Sequence, residues 1–192
     1  MTEKNLYPNN YYQMNKVKYL SGLSLIILGM LACNKDNDPV IEAGVVINEL
    51  MAVNSTTVSD QNGEFDDWIE LYNNSLADID LSGYYLSDSK SNVTKWKFPE
   101  GTMILNKSYL IVWADGDALQ MGLHTNYKLS SLGETVLLLT PELKVVDRVT
   151  YGEQPIIIGE SIVELSFARI PNGTGAFSWQ TPTFNSENIT NP

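Results

Sequence analysis

An acidic loop carries the residue types best suited to chemistry in this chain. It reads Asp60-Gln61-Asn62-Gly63-Glu64-Phe65-Asp66-Asp67, with oxygen-bearing side chains alternating around a glycine. Flexible loops of this kind supply the six to eight oxygen ligands that a hard cation such as calcium prefers. The expected ligands are Asp60, Asn62, Glu64, Asp66 and Asp67. The alternative is a solvated acidic turn in which Asp66 or Asp67 caps backbone amides, because the flanking helices and final glutamate of an EF-hand do not appear.

Three other sets of side chains could form chemical sites. Asp115 and Asp117 follow an apolar run and could join Asp88 in a second carboxylate cluster. His124 is the only histidine, and zinc sites and catalytic triads need more partners than it has nearby, so we expect a structural hydrogen-bonding role. Glu49, Glu70 and Asp67 could supply paired carboxylates for glycoside hydrolysis. We expect no enzyme, because Glu49 and Glu70 fall on predicted strands of a small domain with no evident cleft.

Short runs of strand-forming residues separated by turn residues position these side chains. Their number and spacing predict an all-β fold, an antiparallel β-sandwich of about seven to nine strands. Four tryptophans, Trp68, Trp96, Trp113 and Trp179, are expected as core and interface anchors. The predicted strands cover residues 45–50, 67–72, 80–88, 95–98, 108–114, 134–140 and 144–151, with a last one at 156–158 or 163–170.

The strand that follows the acidic loop has the clearest two-residue period. Ile69 and Leu71 fall on one face with Asp67, while Trp68, Glu70 and Tyr72 fall on the other. This alternation predicts that the aliphatic pair is buried and that the second face is half exposed to water. Gly83 interrupts the pattern of residues 80–88 and suggests a bulge or a close backbone approach there.

Several segments together resemble the lamin tail domain family of the bacterial type. The segments are residues 46–54, 67–73, 81–88, 94–102, 109–116, 123–134 and 165–173, with Pro182 and Asn185 near the end. The resemblance implies an immunoglobulin-like β-sandwich that binds other molecules and is usually not catalytic. Ala168 stands where the family usually has glycine, and residues 155–163 are longer and more apolar than the family pattern.

The N-terminal region has the pattern of a targeting signal rather than of a folded domain. Lys16 and Lys18 precede a short apolar run, residues 19–32, that ends at Cys33, the only cysteine. This is the order of a secretory signal, and Leu31-Ala32-Cys33 resembles the lipobox of bacterial lipoproteins, with Met30 where leucine is usual. The resemblance implies lipidation of Cys33 and attachment to the bacterial outer membrane, facing the cell surface or the periplasm. The alternative is an uncleaved anchor followed by a buried thiol.

These patterns predict the organisation of the whole chain. A signal peptide covers residues 1–32, with Met14 as an alternative start, and a lipidated flexible tether covers 33–43. The β-sandwich covers 44–186, and a C-terminal tail covers 187–192.

Charge and composition restrict the partners. The 192 residues include 23 acidic and 12 basic side chains. Three basic residues and one acidic residue precede Cys33, so the rest of the chain has a balance of −13. This balance disfavours nucleic acid, which needs a basic surface, and disfavours docking on anionic lipid. We expect a surface lipoprotein that acts as a non-catalytic adhesion module for protein, glycan or envelope components. The alternative is a calcium- or carbohydrate-binding accessory domain of a secreted enzyme system.

Overall fold

Eleven β-strands and no helix make up residues 44–155 and 164–189, the part of the chain that the computed structural model describes. The strands are β1 (Val45–Met51), β2 (Asp67–Asn73), β3 (Ile79–Asp80), β4 (Tyr85–Ser87), β5 (Trp96–Lys97), β6 (Met103–Ile104), β7 (Tyr109–Ala114), β8 (Gly133–Leu139), β9 (Val145–Gly152), β10 (Ser166–Ile170) and β11 (Ala176–Gln180). Eight of them have three residues or more. The predicted all-β fold class is confirmed.

Two antiparallel sheets enclose the main core. The larger has the order β11-β10-β1-β2-β7 and the smaller has the order β5-β4-β8-β9, while β3 and β6 form a separate pair. Ile47, Ile69 and Val112 of the larger sheet share one buried cluster with Leu86 and Val136 of the smaller. The arrangement is therefore an antiparallel β-sandwich, as the sequence pattern predicted.

Strand β2 lies between β1 and β7 and pairs with both along most of its length. Ile69 and Leu71 are fully buried in the core between the sheets, as predicted. The prediction for the opposite face was wrong, because Trp68 and Glu70 are also fully buried. Only Tyr72 on that face is partly exposed.

The segment after β11 covers this second face of β2. We call residues 181–189 the C-terminal segment. Within it, the Phe184 ring lies 5.2 Å from the Trp68 ring and 5.6 Å from the Trp113 ring, between centroids. The backbone amide of Asn185 donates a hydrogen bond of 2.7 Å to the Glu70 carboxylate. An apolar and a polar contact therefore replace the water that the alternation of β2 predicted.

The fold extends beyond the predicted domain limit at residue 186. Asn188, placed by the sequence in a C-terminal tail, is buried. Its side-chain amide donates to the carbonyl oxygens of Asn48 at 3.1 Å and Arg169 at 3.0 Å. A surface residue in a tail would not satisfy two interior carbonyl groups, so this part of the predicted tail belongs to the sandwich.

Residues 80–88 form two strands rather than one. Strand β3 ends at Asp80 and β4 begins at Tyr85, in different sheets. Gly83 has a φ of 78° in the turn between them, where the Tyr84 amide donates to the Leu81 carbonyl at 3.0 Å. The glycine therefore allows a change of sheet and not a bulge within one strand.

A hydrogen bond ties β1 to β9 and an ion pair ties β10 to β9 where the two sheets approach. The Ile47 amide donates to Asp147 Oδ2 at 2.9 Å, and Arg169 Nε donates to the Ile47 carbonyl at 3.2 Å. Arg169 also pairs with Asp147 at 2.9 Å. Burial raises the pKa of Asp147, and the Arg169 charge opposes that rise. Arg169, part of the late segment that resembles the family, therefore has a structural role in closing the sandwich.

Candidate functional site

The acidic loop after β1 is folded by its own first aspartate. Asp60 Oδ1 accepts the backbone amides of Asn62 at 2.8 Å and Glu64 at 2.9 Å. The Asp60 amide donates to the Glu64 carbonyl at 2.9 Å. Gly63 has a φ of 83° in this turn, a conformation that glycine adopts without steric cost. These local bonds follow from an aspartate placed two and four residues before the amides that it accepts.

This turn brings three of the predicted ligands together. Oxygen atoms of Asp60, Glu64 and Asp66 all lie within 4.8 Å of one another. Among the described residues, no other group of three or more acidic, histidine or cysteine side chains is clustered this closely. Asn62 meets Asp60 through its backbone amide. Asp67 lies outside the group, and its carboxylate accepts the Leu129 amide at 3.2 Å.

A second loop, residues 115–124, packs against the acidic loop. Gln120 Nε2 donates to Glu64 Oε2 at 3.0 Å. Gln61 Nε2 donates to the Met121 carbonyl oxygen and lies 2.8 Å from His124 Nε2. Three side-chain contacts therefore join two loops that are far apart in sequence.

The buried His124 side chain links Gln61 of the acidic loop to Asp115 of the second loop. Because the Gln61 amide donates to Nε2, the hydrogen of the neutral imidazole lies on Nδ1. Nδ1 donates to Asp115 Oδ2 at 2.6 Å, and the side chains of both residues are almost completely buried. The His124 ring also stacks on Trp113 at a centroid distance of 6.5 Å. These contacts agree with the structural hydrogen-bonding role expected from the sequence.

Negative charge accumulates where the two loops meet. Burial raises the pKa of Asp66, as do the charges of Asp115, Glu64 and Asp60, while Lys128 lowers it. Burial also raises the pKa of Asp67 to about 7, against the Leu129 amide and Lys128, which lower it. The charges of Asp115, Glu64 and Asp60 thus act on Asp66 at this end of the sandwich, and the Lys128 ammonium group opposes them.

The second predicted carboxylate cluster does not assemble. Both oxygens of Asp88 bond to Lys95 Nζ, at 2.6 and 2.7 Å. Asp115 is engaged with His124, and the Asp117 amide donates to Asp115 Oδ1 at 2.9 Å. Asp88 therefore forms an ion pair with Lys95, just before β5, while Asp115 belongs to the junction of the two loops.

Glu49 and Glu70 lie side by side on the face that the C-terminal segment covers. They are opposite each other in the pairing of β1 with β2, and both are fully buried. Glu49 accepts the Thr183 amide at 3.0 Å and the Ser166 hydroxyl. Glu70 accepts Asn48 Nδ2 at 3.0 Å and the Asn185 amide at 2.7 Å.

Both carboxyl groups have raised pKa values because they are buried. Burial raises the pKa of Glu49, against hydrogen bonds from Ser166 and Thr183. Burial also raises the pKa of Glu70 to about 8, and the Glu49 charge adds to that rise. These two carboxyl groups hold the C-terminal segment, and segment and sheet enclose them, so they do not face a cleft as a glycosidase pair would.

Sequence reasoning missed Gln61, Gln120 and Lys128 as members of the site at the acidic loop. Gln120 and Lys128 are about 60 residues away from the acidic loop along the chain, and neither belongs to a spaced motif. Gln61 lies within the acidic loop, but a glutamine in a polar loop gives no sequence signal that it will contact a second loop. Only the pairing of β2 with β7 brings the two loops together.

Cys33 and the predicted signal lie outside the described residues. Within residues 44–155 and 164–189, no helix is long and apolar enough to cross a bilayer.

Comparison with known proteins identifies the fold family. The Lamin Tail Domain family model matches residues 42–153, more than half of the chain. A comparison with curated proteins gave no significant match. The matched region holds the opening strand, the acidic loop and the central hairpin, and strands β10 and β11 after it complete the larger sheet. The chain belongs to the lamin tail domain family.

Proposed function

We propose that the protein is a non-catalytic interaction module, carried by a lipid anchor on Cys33 and exposed at the surface of the bacterial outer membrane. Its partners would be proteins, glycans or other envelope components. Family membership supports the non-catalytic part, because the lamin tail domain is an immunoglobulin-like fold without catalytic function of its own. Fold alone does not determine the ligand.

The main support for this proposal is that the buried carboxyl groups make structural hydrogen bonds. Groups with strongly shifted pKa values are the first candidates for catalysis in an uncharacterised domain. Here Glu49, Glu70 and Asp147 hold the C-terminal segment and the junction of the sheets through hydrogen bonds. Glu134 accepts the Ser130 amide at 2.8 Å and the Tyr151 hydroxyl at 3.1 Å. These acids with raised pKa values make hydrogen bonds that stabilise the fold. We therefore favour binding through exposed loops or sheet edges as the activity of the domain.

The N-terminal sequence supports the anchor. Lysines, a short apolar run and Cys33 follow one another in the order of a lipoprotein signal. Stable attachment to a membrane takes more than one acyl chain, and a lipidated N-terminal cysteine would supply several. The polar residues 34–39 would then serve as a tether between the membrane and the domain.

The membrane part is tested by fractionation of cells that express the full chain. Cys33→Ser should move the protein from the membrane fraction to the soluble fraction. Met30→Leu is the matched control, because it places leucine at the lipobox position where leucine is usual, and it should leave the protein membrane-bound. Membrane retention of Cys33→Ser would refute the lipid anchor. Protease treatment of intact cells then distinguishes a surface-facing from a periplasm-facing protein.

The binding part is tested with the purified protein against separated envelope components. Outer-membrane proteins, peptidoglycan and surface polysaccharide should be offered one at a time, with heat-unfolded protein as the control. Saturable binding of one component by the folded protein alone is expected. Hydrolysis of members of a substrate panel would refute the non-catalytic assignment.

The accessory-domain alternative receives less support from the tryptophans. Glycan-binding faces present exposed aromatic rings, but Trp68, Trp96 and Trp113 are buried. Trp179 is partly buried and packs beside Phe167 at 5.1 Å. A polysaccharide array read by the quenching of tryptophan fluorescence would test this alternative, with Trp179→Phe as the informative variant.

A further inference from the structure

Asp60 presents an oxygen atom that the protein itself does not use. The residue is only 8% exposed. Oδ1 accepts two backbone amides, but Oδ2 is buried and has no hydrogen-bond partner among the described residues. A buried carboxylate oxygen without a partner is costly, because it has lost water and gained nothing in exchange. The oxygen belongs to the residue that shares the acidic cluster with Glu64 and Asp66.

Gln120 presents a second such oxygen from the other loop. Its Nε2 donates to Glu64 Oε2 at 3.0 Å, while its Oε1 is buried without a partner in the described part of the chain. The amide group therefore lies against a member of the acidic cluster. Because amide oxygen and nitrogen occupy nearly the same space, a rotation of the amide would present Oε1 at the cluster as a neutral ligand.

We propose that Asp60, Glu64 and Asp66, together with Gln120 Oε1, bind a calcium ion where the two loops meet. The donors are all oxygen atoms, which suits a hard cation. Oxygens that bind one calcium ion at 2.3–2.6 Å lie at most about 5.2 Å apart, and these three lie within 4.8 Å of one another. Water molecules can complete a flexible calcium coordination sphere around these ligands, whereas magnesium demands a strict octahedron at about 2.0–2.1 Å. This site goes beyond the proposed adhesion role and does not rest on it.

A calcium ion at this position would join two loops that expose apolar side chains. Phe65 follows Glu64 and is 46% exposed, while Leu119 and Met121 flank Gln120 and are 96% and 84% exposed. Coordination from both loops would hold these three side chains in one arrangement. Bound calcium should therefore protect the two loops from proteolysis, in addition to stabilising the fold.

Calorimetric titration of the purified full chain with calcium chloride tests the site directly. After removal of metal with EDTA and exchange into metal-free buffer, we expect saturable binding of one ion per chain. Extracellular calcium modules bind with dissociation constants of about 10⁻⁴–10⁻³ M, and this site should fall in that range or below. The midpoint of thermal unfolding should rise with calcium and return to its starting value with EDTA.

Four variants distinguish coordination from general attraction of cations. Asp66→Asn and Glu64→Gln each remove a ligand charge and should weaken calcium binding at least tenfold. Glu142→Gln is the matched control, because it removes the same charge from an exposed acid in the β8–β9 hairpin. It should leave the affinity unchanged. Gln120→Glu should lower stability in EDTA, because it sets like charges side by side, and should strengthen calcium binding.

Three results would overturn the proposal. The first is the lack of saturable binding up to about 10 mM calcium, which lies above the range of extracellular calcium modules. The second is equal binding by Asp66→Asn and Glu142→Gln, which would mean diffuse attraction by an acidic surface. The third is magnesium binding as tight as calcium binding. Weakened binding by Gln120→Glu would remove Gln120 from the ligand set.

Discussion

Replacing Glu70 by glutamine should change how the stability of the protein depends on pH. Burial raises the pKa of Glu70 from 4.5 to about 8 in the folded protein, while in the unfolded chain the pKa stays near its usual value. Between these two values the unfolded chain releases the proton and the folded protein keeps it. Rising pH therefore favours the unfolded state. The stability that the neutral acid contributes is complete below pH 4.5 and is lost as the pH approaches 8.

The size of the effect follows from that difference in pKa. Each pKa unit corresponds to about 1.4 kcal/mol, so Glu70 should lower the free energy of unfolding by on the order of 3–5 kcal/mol between pH 4.5 and pH 8. Glu70→Gln removes this contribution. At low pH the variant should be less stable by about 1–3 kcal/mol, because the glutamine amide faces either the Asn48 amide or the Asn185 amide, which are both donors to Glu70.

Urea unfolding followed by tryptophan fluorescence measures both effects. The assay should run from pH 4.5 to pH 8 at constant ionic strength, so that the screening of surface charge does not vary. We expect the wild type to lose stability with rising pH and the gap to Glu70→Gln to narrow or reverse by pH 8. Glu142→Gln, at an exposed site, should keep the pH dependence of the wild type. Parallel curves for Glu70→Gln and the wild type, within about 0.5 kcal/mol, would show that folding does not raise the pKa of Glu70 and would refute the reasoning.

Three further predictions concern packing and backbone conformation. Leu71→Ala should cost about 2–5 kcal/mol in urea unfolding, because Leu71 is fully buried between the sheets, and a loss below about 1 kcal/mol would contradict that placement. Phe184→Ala should cost about 2 kcal/mol and shift tryptophan emission to longer wavelength, since Phe184 contacts Trp68 and Trp113; unchanged emission would mean that the C-terminal segment does not exclude water. Gly133→Ala should cost more than about 2 kcal/mol, since the added Cβ would lie 2.4 Å from the Tyr151 carbonyl oxygen. Gly101→Ala, also at positive φ but in open space, should cost about 1–2 kcal/mol, and equal losses for the two glycines would contradict the steric argument.

Local pattern was enough to predict most of the strands. Period-two alternation placed Ile69 and Leu71 in the core, and turn residues separated β8 from β9 correctly. The acidic turn was also readable, because the bonds of Asp60 reach only two and four residues along the chain. Interactions of this range depend on neighbouring residues alone, so the sequence contains them.

Strands that depend on partners distant in the sequence could not be predicted from local pattern. The two-residue strand β6 and the last strand β11 have too short or too weak a pattern to predict, and they form because β3 and β10 offer them an edge. From the sequence, Gly83 suggested a bulge or a close backbone approach. The structure shows instead that it lies in a turn between β3 and β4, which belong to different sheets.

The sequence by itself determined the family, the all-β class, the core face of β2 and the presence of an acidic turn. Tertiary structure alone decided that the opposite face of β2 is dry, because the segment that covers Glu70 lies more than 100 residues further along the chain. It also decided that Gln120 meets Glu64. Burial and long-range hydrogen bonding depend on which segments the sheets bring together, and no local period records that choice.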